Sequence, residues 1–353
     1  MCLWTVYLRV VYLWAVCLWA VLVPCLCLAR ALLEPCAARR VCAYRQAFYN
    51  LAMVLVAGSA NLDFVVRAPR IPAPGQTLLG HSFRTDTGGK GANQAIACAR
   101  AGGVPTRMLL ALGCDSFAEP IEQALNAAGV ALHVVRSDLP TGTAFICVAD
   151  DAENAITVAP GANQALLAQH LPALSGVQYL LLQLETPLPT VMAYAAAGHE
   201  AGVTVVLNAA PGQPLPAELL ALVDVLVVNQ GELSQVTNCH GNVAECLAQL
   251  PGVPCVVVTL GAQGCCVRVA HSSGARYLSE AAFNIAAVDT TAAGDTFCGV
   301  LVASLAQQRT LEQSLVRASA AAALACTRAG AQDSIPTRAE VDQFLNTIGA
   351  YRQ

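Results

Sequence analysis

The residues with the clearest potential for chemistry lie at 288–299, in the stretch VDTTAAGDTFCG. The apolar residues that follow recur at helical spacing, so we predict a helix that begins at Ala292, Ala293 and Gly294. The first backbone N–H groups of a helix lack intrahelical partners and carry the positive end of its dipole, so they can hold a phosphate or a developing oxyanion. Asp295 would stand beside this anion cradle, where a carboxylate can take the proton of an attacking hydroxyl. The stretch therefore suggests phosphoryl transfer to an alcohol; the alternative is that Asp295 only caps the helix and Gly294 only makes the turn.

Two further stretches carry polar groups suited to a polyhydroxylated ligand. GGKGANQA at 88–95 opens a predicted helix, and its backbone amides together with Lys90 and Asn93 could hold such a substrate. Its spacing is not that of a Walker A loop. SANLDF places Asn61 and Asp63 on one side of an extended chain, where a carboxylate and an amide suit paired sugar hydroxyls. In both places an ordinary turn is the alternative.

Two turns that follow buried strands suggest a nucleotide side. In NQGE, Asn229 and Glu232 could hold a hydrated Mg²⁺ against nucleotide phosphates, because this ion prefers oxygen ligands and keeps several waters. The alternative is a capping box, with Asn229 at the N-cap and Glu232 at N3. TLGAQG at 259–264 is a strand-to-turn element whose two glycines suit the close approach of a phosphate or of adenine.

A mainly parallel sheet should position these groups, so we predict an α/β fold. Short runs of Val, Ile and Leu alternate with alanine-rich helical stretches, and strands that are apolar throughout are buried on both faces. The predicted strands lie at 54–58, 107–113, 179–185, 203–210, 225–229 and 255–261. A further strand is suggested before the turn at Asp295, by Asn284, Ile285, Ala287 and Val288.

Two segments with a different pattern interrupt this alternation. Residues 61–87 contain several prolines and alternating polar and apolar residues, and residues 141–160 alternate like a hairpin that turns near 150–154. Open α/β sheets bind ligands at the carboxyl ends of their strands, and both segments follow early strands. We interpret them as a β-sheet lid over the binding crevice.

Residues 1–52 differ in composition from the rest of the 353-residue chain. The apolar run at 10–29 is long enough to span a bilayer, and the arginines after it would favour a cytoplasmic C-terminal side. A cleaved signal peptide fits less well, since Arg9 is the only early charge. We favour an over-extended translation start over a membrane anchor, with one folded domain at 53–353.

The remaining composition bears on partners and compartment. A net charge of −4 with 12% charged residues gives no basic footprint for nucleic acid. After residue 52 the cysteines are scattered singly, apart from Cys265 and Cys266, and none has metal-binding spacing. We expect buried reduced thiols, which suits a cytoplasmic location.

Taken in order, these motifs resemble the ribokinase/PfkB family of sugar kinases, and within it the ribokinases, from about residue 53 to residue 348. Both signature regions of that family are present, GGKGANQA and DTTAAGDTF. QLETP, LNAAPG, NQGE, TLG and TRAGAQDSIP occur in the family's order. The resemblance implies a three-layer sandwich with a mainly parallel sheet and a small β-sheet lid.

The resemblance also implies a role for each matching position. Asp295 would be the base, with an anion hole formed by Ala292, Ala293 and Gly294. Ribose would be bound by Asn61, Asp63, Gly89, Lys90, Asn93, Glu185 and Asp295. The nucleotide would contact Asn229, Thr259, Gly261, Gly264, Gly294 and Ser319. Mg²⁺ would be held by Asn229 and Glu232, and an activating K⁺ by Asp289, Thr291, Ala325, Arg328, Gly330 and Ser334.

The implied reaction is ATP-dependent phosphorylation of D-ribose at O5, in a homodimer joined through the lid. A kinase of another pentose or of a nucleoside, or a non-catalytic sugar-binding protein on the same fold, are the alternatives. The chain departs from the usual ribokinase pattern at Cys114, Ala209, Thr291 and Ser319. None of these departures removes a catalytic group, but Ser319 lies where a His or Asn often borders the adenine.

Overall fold

The computed structural model describes residues 53–351 except 152 and 273, so the segment at 1–52 and the three interpretations of it lie outside the described residues. Within the described part, no helix combines the length and the apolar character that crossing a bilayer requires.

A large sheet forms the centre of the molecule. Its strands are β1 (Met53–Ala57), β4 (Thr106–Gly113), β5 (Ala131–Ser137), β8 (Val177–Leu182), β9 (Thr204–Asn208), β10 (Val225–Asn229), β11 (Cys255–Thr259), β12 (Cys265–His271) and β13 (Gly274–Glu280). Their spatial order is β13-β12-β11-β10-β9-β8-β1-β4-β5. Neighbours from β5 to β11 run parallel, while β12 and β13 extend one edge antiparallel. The predicted apolar strands all belong to the parallel part, which confirms the α/β fold.

Helices cover both faces of this sheet. They are α1 (Lys90–Ile96), continued by a π-helical turn (Ala97–Gly102), α2 (Ala118–Ala127), α3 (Leu188–Glu200), α4 (Ala217–Leu220), α5 (Gln230–Thr237), α6 (Val243–Leu247), α7 (Ala293–Ala306), α8 (Leu311–Cys326) and α9 (Arg338–Tyr351). Val54 and Val56 of β1 pack into the core that contains α1, α2, α7 and α8, whereas Leu55 and Ala57 pack into the core with α3 to α6. Because successive side chains of a strand point to opposite faces, a strand between two helical layers must be apolar at every position. The fold is therefore a three-layer sandwich.

A second, smaller sheet lies within the two segments predicted as a lid, and we call it the lid sheet. Its strands are β2 (Asn61–Ala68), β3 (Ser82–Gly88), β6 (Gly142–Ala149) and β7 (Asn154–Ala159). Their order is β3-β2-β6-β7, with antiparallel outer pairs around a parallel pair of β2 with β6. The β6–β7 hairpin turns where the sequence predicted, and β7 is an edge strand exposed along its whole length.

The strand predicted before Asp295 is wrong. Residues 281–290, which include Asn284, Ile285, Ala287 and Val288, are extended but irregular. The N–H groups of Val288 and Asp289 both donate to the Cys326 carbonyl, at 2.8 and 3.2 Å, rather than to a neighbouring strand. Val288 is 68% exposed, and Ile285 and Ala287 line a cavity. The apolar residues of this segment thus form a cavity wall, which has the same composition as a strand.

Candidate active site

The start of α7 has the geometry of an anion cradle. Ala292 precedes the helix with a φ of 58°, in the left-handed region that a residue with a Cβ adopts at a cost. Gly294 lies in the first turn, and a Cβ added there would meet no atom within 4 Å. The Ala293 N–H donates to the Thr290 carbonyl at 3.2 Å, whereas the Gly294 N–H has no backbone partner among the described residues. Its role as an anion hole stays a prediction.

Asp295 follows directly and is only 7% exposed. Its two carboxylate oxygens are oriented by neighbouring residues of α1: Asn93 Nδ2 donates to Oδ2 at 3.0 Å, and Gln94 Nε2 donates to Oδ1 at 2.9 Å. The alternative that Asp295 caps the helix does not apply, since α7 has no side-chain cap and Asp295 lies inside its first turn. The two signature stretches of the sequence thus meet at this carboxylate.

Behind Asp295 lies a chain of buried amide side chains that sequence reasoning missed. Gln94 Nε2 also donates to Asn208 Oδ1 at 2.9 Å, and Gln94 Oε1 accepts from Gln183 Nε2 at 2.7 Å. Asn208 Nδ2 in turn donates to the Val227 carbonyl at 3.0 Å. A signal was present, because Gln183 interrupts the apolar run YLLLQLE and a buried amide needs hydrogen-bond partners.

The predicted sugar-binding residues converge on the other side of Asp295. Glu185 Oε2 accepts from Ser59 Oγ at 2.5 Å and from the Lys90 N–H at 3.0 Å. Asn61 Oδ1 accepts from Asn163 Nδ2 at 2.8 Å. Ser59 and Asn163 hold predicted site residues in place and were not themselves predicted. Gly89, with a φ of 89°, makes the turn that a residue with a side chain would resist.

The charges on this side are mostly negative. Burial raises the pKa of Asp63 to about 7, helped by the nearby carboxylates of Glu185, Asp86 and Asp295. Asp86 lies directly opposite Asp63 in the β2–β3 pair, an unfavourable place for a second like charge. The Asp295 carboxylate raises the pKa of Lys90, so this cation stays charged among the acids.

Two cavities flank the start of α7. One, of about 260 Å³, lies under the lid sheet and includes Asp63 and Asp86. The other, of about 570 Å³, contains most of the predicted nucleotide residues, namely Thr259, Gly261, Gly264, Gly294 and Ser319. None of the described residues that line this larger cavity is acidic or basic. Asn229 is not among them, but it pairs in register with Thr259 at the ends of β10 and β11.

Asn229 and Glu232 form the capping box that was the alternative to a magnesium site. Asn229 Oδ1 accepts from the Glu232 N–H and Glu232 Oε2 accepts from the Asn229 N–H, both at 2.8 Å. Burial raises the pKa of Glu232 against the effect of this hydrogen bond. Glu232 Oε1 has no hydrogen-bond partner among the described residues, so the oxygen donors still fit a hydrated Mg²⁺.

The residues predicted for potassium join the segment before α7 to the loop after α8. Asp289 accepts from the N–H groups of Thr291 at 2.9 Å and of Gly330 at 3.0 Å. Burial acts to raise the pKa of Asp289, but these hydrogen bonds prevail and lower it, so the carboxylate is ionised. In the same loop the buried Ser334 Oγ donates to the Ala331 carbonyl and the Arg328 N–H to the Ala325 carbonyl. Such carbonyl, hydroxyl and carboxylate oxygens suit a hard cation.

The fold and the site together define a sugar kinase. The profile of the pfkB family carbohydrate kinases matches residues 51–338. The chain belongs to this family. Ribokinase of Haemophilus influenzae is 38% identical over 303 residues, which cover 82% of this chain and 97% of the relative.

Solved structures agree with this membership. Thermotoga maritima ribokinase is similar with a TM-score of 0.78 and 32% identity, covering 84% of this chain and 99% of that one. Arabidopsis thaliana ribokinase, solved in complex with ribose and ATP, is similar with a TM-score of 0.74 and 31% identity, covering 83% and 98%.

Proposed function

We propose that this sugar kinase transfers the γ-phosphoryl group of ATP to O5 of D-ribose, giving D-ribose 5-phosphate and ADP. The observation that carries the proposal is the buried Asp295 carboxylate at the start of α7, oriented by Asn93 and Gln94 of the GGKGANQA stretch. The names of the relatives, and the ribose and ATP in the Arabidopsis structure, support this choice of substrates.

In this mechanism Asp295 takes the proton of the 5-hydroxyl as its oxygen attacks the γ-phosphorus. A bond forms between O5 and phosphorus, the bond to the β–γ bridging oxygen breaks, and ADP leaves with that electron pair. The backbone N–H group of Gly294, and that of Ala293 once it is released from the Thr290 carbonyl, would stabilise the negative charge that develops on the phosphoryl oxygens. Asn61, Asp63 and Glu185 would bind the sugar hydroxyls, and the lid sheet would exclude water from the transfer.

Asn229 and Glu232 would hold Mg²⁺ near the nucleotide phosphates, and the oxygens around Asp289 and the 325–334 loop would hold an activating K⁺. The two ions would supply positive charge that offsets the charge of the phosphates. Asp289 would transmit the potassium effect through its hydrogen bond to Thr291, one residue before Ala292.

The lid sheet would also join two copies of the chain. Phe83, Phe64 and Phe145 form a row of stacked rings, with centroids 6.2 and 5.3 Å apart. Phe83 is 62% and Phe145 54% exposed, and β7 presents an open edge beside them. Exposed apolar surface and an unpaired edge strand both favour association.

The test is coupled ADP release by the full chain with ATP and one acceptor at a time: ribose, deoxyribose, fructose 6-phosphate or adenosine, each with and without potassium. Ribose-dependent turnover that potassium stimulates would support the proposed substrate and the potassium site. Turnover with another acceptor alone would keep the mechanism and replace the substrate. A folded protein that binds ribose but releases no ADP would refute the kinase activity.

A further inference from the structure

We infer that Gln94 is a positioning residue for the phosphoryl-transfer step, which locks the Asp295 carboxylate so that Oδ2 faces the sugar hydroxyl. The inference rests on the proposed base role of Asp295. Gln94 lies in the GGKGANQA stretch but on the far side of the carboxylate from the sugar residues, and it is fully buried. It would act through Asp295 without touching the substrate.

The orientation of the Gln94 amide is fixed by chemistry at both ends of its network. An ionised carboxylate can only accept hydrogen bonds, so the group of Gln94 that faces Asp295 must be the NH₂. At the other end the Val227 carbonyl requires the NH₂ of Asn208, which turns Asn208 Oδ1 toward Gln94. Both N–H groups of Gln94 are therefore used, and its Oε1 is left to accept from Gln183. Gln94 cannot rotate without breaking three hydrogen bonds.

This arrangement gives the two carboxylate oxygens different roles. Oδ1 is held toward the protein core by Gln94. Oδ2 is held by Asn93, a residue of the predicted sugar site. Asn93 Oδ1 itself has no hydrogen-bond partner among the described residues. Oδ2 is therefore the oxygen on the sugar side. A base must lie within hydrogen-bond reach of the proton that it abstracts, and the two adjacent α1 residues together prevent the carboxylate from turning away.

The test compares three variants of the full chain: Gln94→Met, Gln94→Glu and Gln183→Met. Gln94→Met keeps the length of the side chain and removes both donors. We expect its kcat to fall about 10- to 100-fold, since small misplacements of a catalytic group have effects of this size, while the KM values for sugar and ATP change less than threefold. Gln183→Met is the matched comparison, because it removes one buried hydrogen bond of the same chain and leaves both Gln94 donors in place. Its kcat should fall less than about fivefold, with both variants assayed well below their melting temperatures so that the smaller stability loss of Gln183→Met does not decide the comparison.

Gln94→Glu supplies a signature that a purely structural role would not produce. Burial and the Asp295 charge would raise the pKa of the new carboxyl, so at neutral pH it stays protonated and donates to Oδ1 as the amide does. Its kcat should then fall as the pH rises and the new carboxyl ionises, in a range where the wild type does not lose activity. This variant keeps the inference testable if Gln94→Met fails to fold.

The inference is overturned if Gln94→Met retains the wild-type kcat, if Gln183→Met loses as much kcat as Gln94→Met, or if Gln94→Glu has a pH profile of wild-type shape. The assay uses whichever acceptor the wild type phosphorylates, so a different sugar would refute the proposed substrate and leave this test intact. An Asp295→Asn variant with normal turnover would instead refute the base role itself.

Discussion

The residues on the two sides of Asp295 differ in charge and polarity. On the side proposed to bind the sugar, Asp63, Glu185 and Lys90 contribute ionisable groups, and Glu185 accepts hydrogen bonds from Ser59 Oγ and the Lys90 N–H. On the nucleotide side, a cavity of about 570 Å³ is lined by small and apolar residues, with no acidic or basic side chain among the described residues around it. Glycine leaves open space there at Gly294 and allows a close backbone approach at Gly264.

Under the proposed function, the difference between the two sides would follow from the chemistry of each substrate. A sugar is neutral and presents hydroxyls, so recognition needs donors and acceptors at fixed positions, which side chains supply. A nucleotide carries its own charge on the phosphates and a flat apolar base, so it needs backbone N–H groups, cations and an uncharged slot. Changes of side chain should therefore act on the sugar KM, and changes that fill the backbone cradle should act on phosphoryl transfer.

The largest effect is expected at the boundary between the two sides. Asp295→Asn keeps the shape of the side chain but removes the base, so kcat should fall by about 10²- to 10⁴-fold. Ribose binding, measured by calorimetry, should change less than threefold, because the amide still reaches the sugar hydroxyl. Turnover near the wild-type value would remove Asp295 from the base role.

The next effect tests the backbone side. Gly294→Ala puts a methyl group into the space at the first turn of α7, so we expect kcat to fall about 10- to 100-fold by obstruction of the phosphoryl group. The fold should gain about 0.5–1 kcal/mol, since alanine favours a helix over glycine. Gly349→Ala is the matched control, because that helical glycine also has no atom within 4 Å of an added Cβ and lies in α9, outside the site. A Gly294→Ala enzyme that is more stable and fully active would show that the cradle holds no phosphoryl group.

The features that the sequence predicted are local ones. The strands of the large sheet are apolar at each position because helices cover both faces, and this pattern is visible in a few residues such as those of β1. The start of α7 at Ala293 likewise depends on its own glycine and on the spacing of the apolar residues that follow. Residue pattern suggested Asp295 as a base and Asn229 with Glu232 as magnesium ligands, whereas the roles of Glu185, Ser319 and the potassium residues came from the family resemblance.

The features that the sequence did not predict depend on contacts between residues far apart along the chain. Gln94 meets Gln183 across 89 positions and Asn208 across 114, and periodicity carries no information on such pairs. The segment with Ile285 and Val288 was mistaken for a strand because cavity walls and strands share their apolar residues. Physical contact, and not residue type, distinguishes these cases.

A smaller effect should appear in the pH dependence of the two KM values, which should differ between ribose and ATP. The pKa of Asp63 is about 7, so its carboxyl is mostly protonated at pH 6 and mostly ionised at pH 8. If the ionised form accepts from ribose hydroxyls, the KM for ribose should fall about tenfold between these pH values, as expected for a single group of this pKa. The KM for ATP should not follow, and Asp63→Asn should make the ribose KM independent of pH in this range.

The Asp63 carboxyl should also make the stability of the fold depend on pH, which gives a test independent of kinetics. The folded state raises the pKa of Asp63 from 3.8, so it binds the proton more tightly than the unfolded chain does. This contribution to folding is complete below about pH 4 and is lost as the pH rises through about 7. Asp63→Asn should therefore raise the melting temperature at pH 8 more than at pH 5. An equal change at both pH values would contradict the raised pKa.

The smallest effect concerns the proposed dimer, because the lid sheet covers only the sugar side. Phe145→Asp places a charge in the exposed aromatic row and should convert the dimer to a monomer in sedimentation velocity, since a charge buried without a partner opposes association. Tyr277→Asp is the matched control, because Tyr277 is an aromatic residue of β13 with 60% exposure, outside the lid sheet.

A lid that has lost its partner should close less completely over the sugar, so the KM for ribose should rise about two- to fivefold while the KM for ATP stays unchanged. Equal shifts in both KM values would show that the lid sheet serves the two sides alike, and a wild type that sediments as a monomer would refute the dimer.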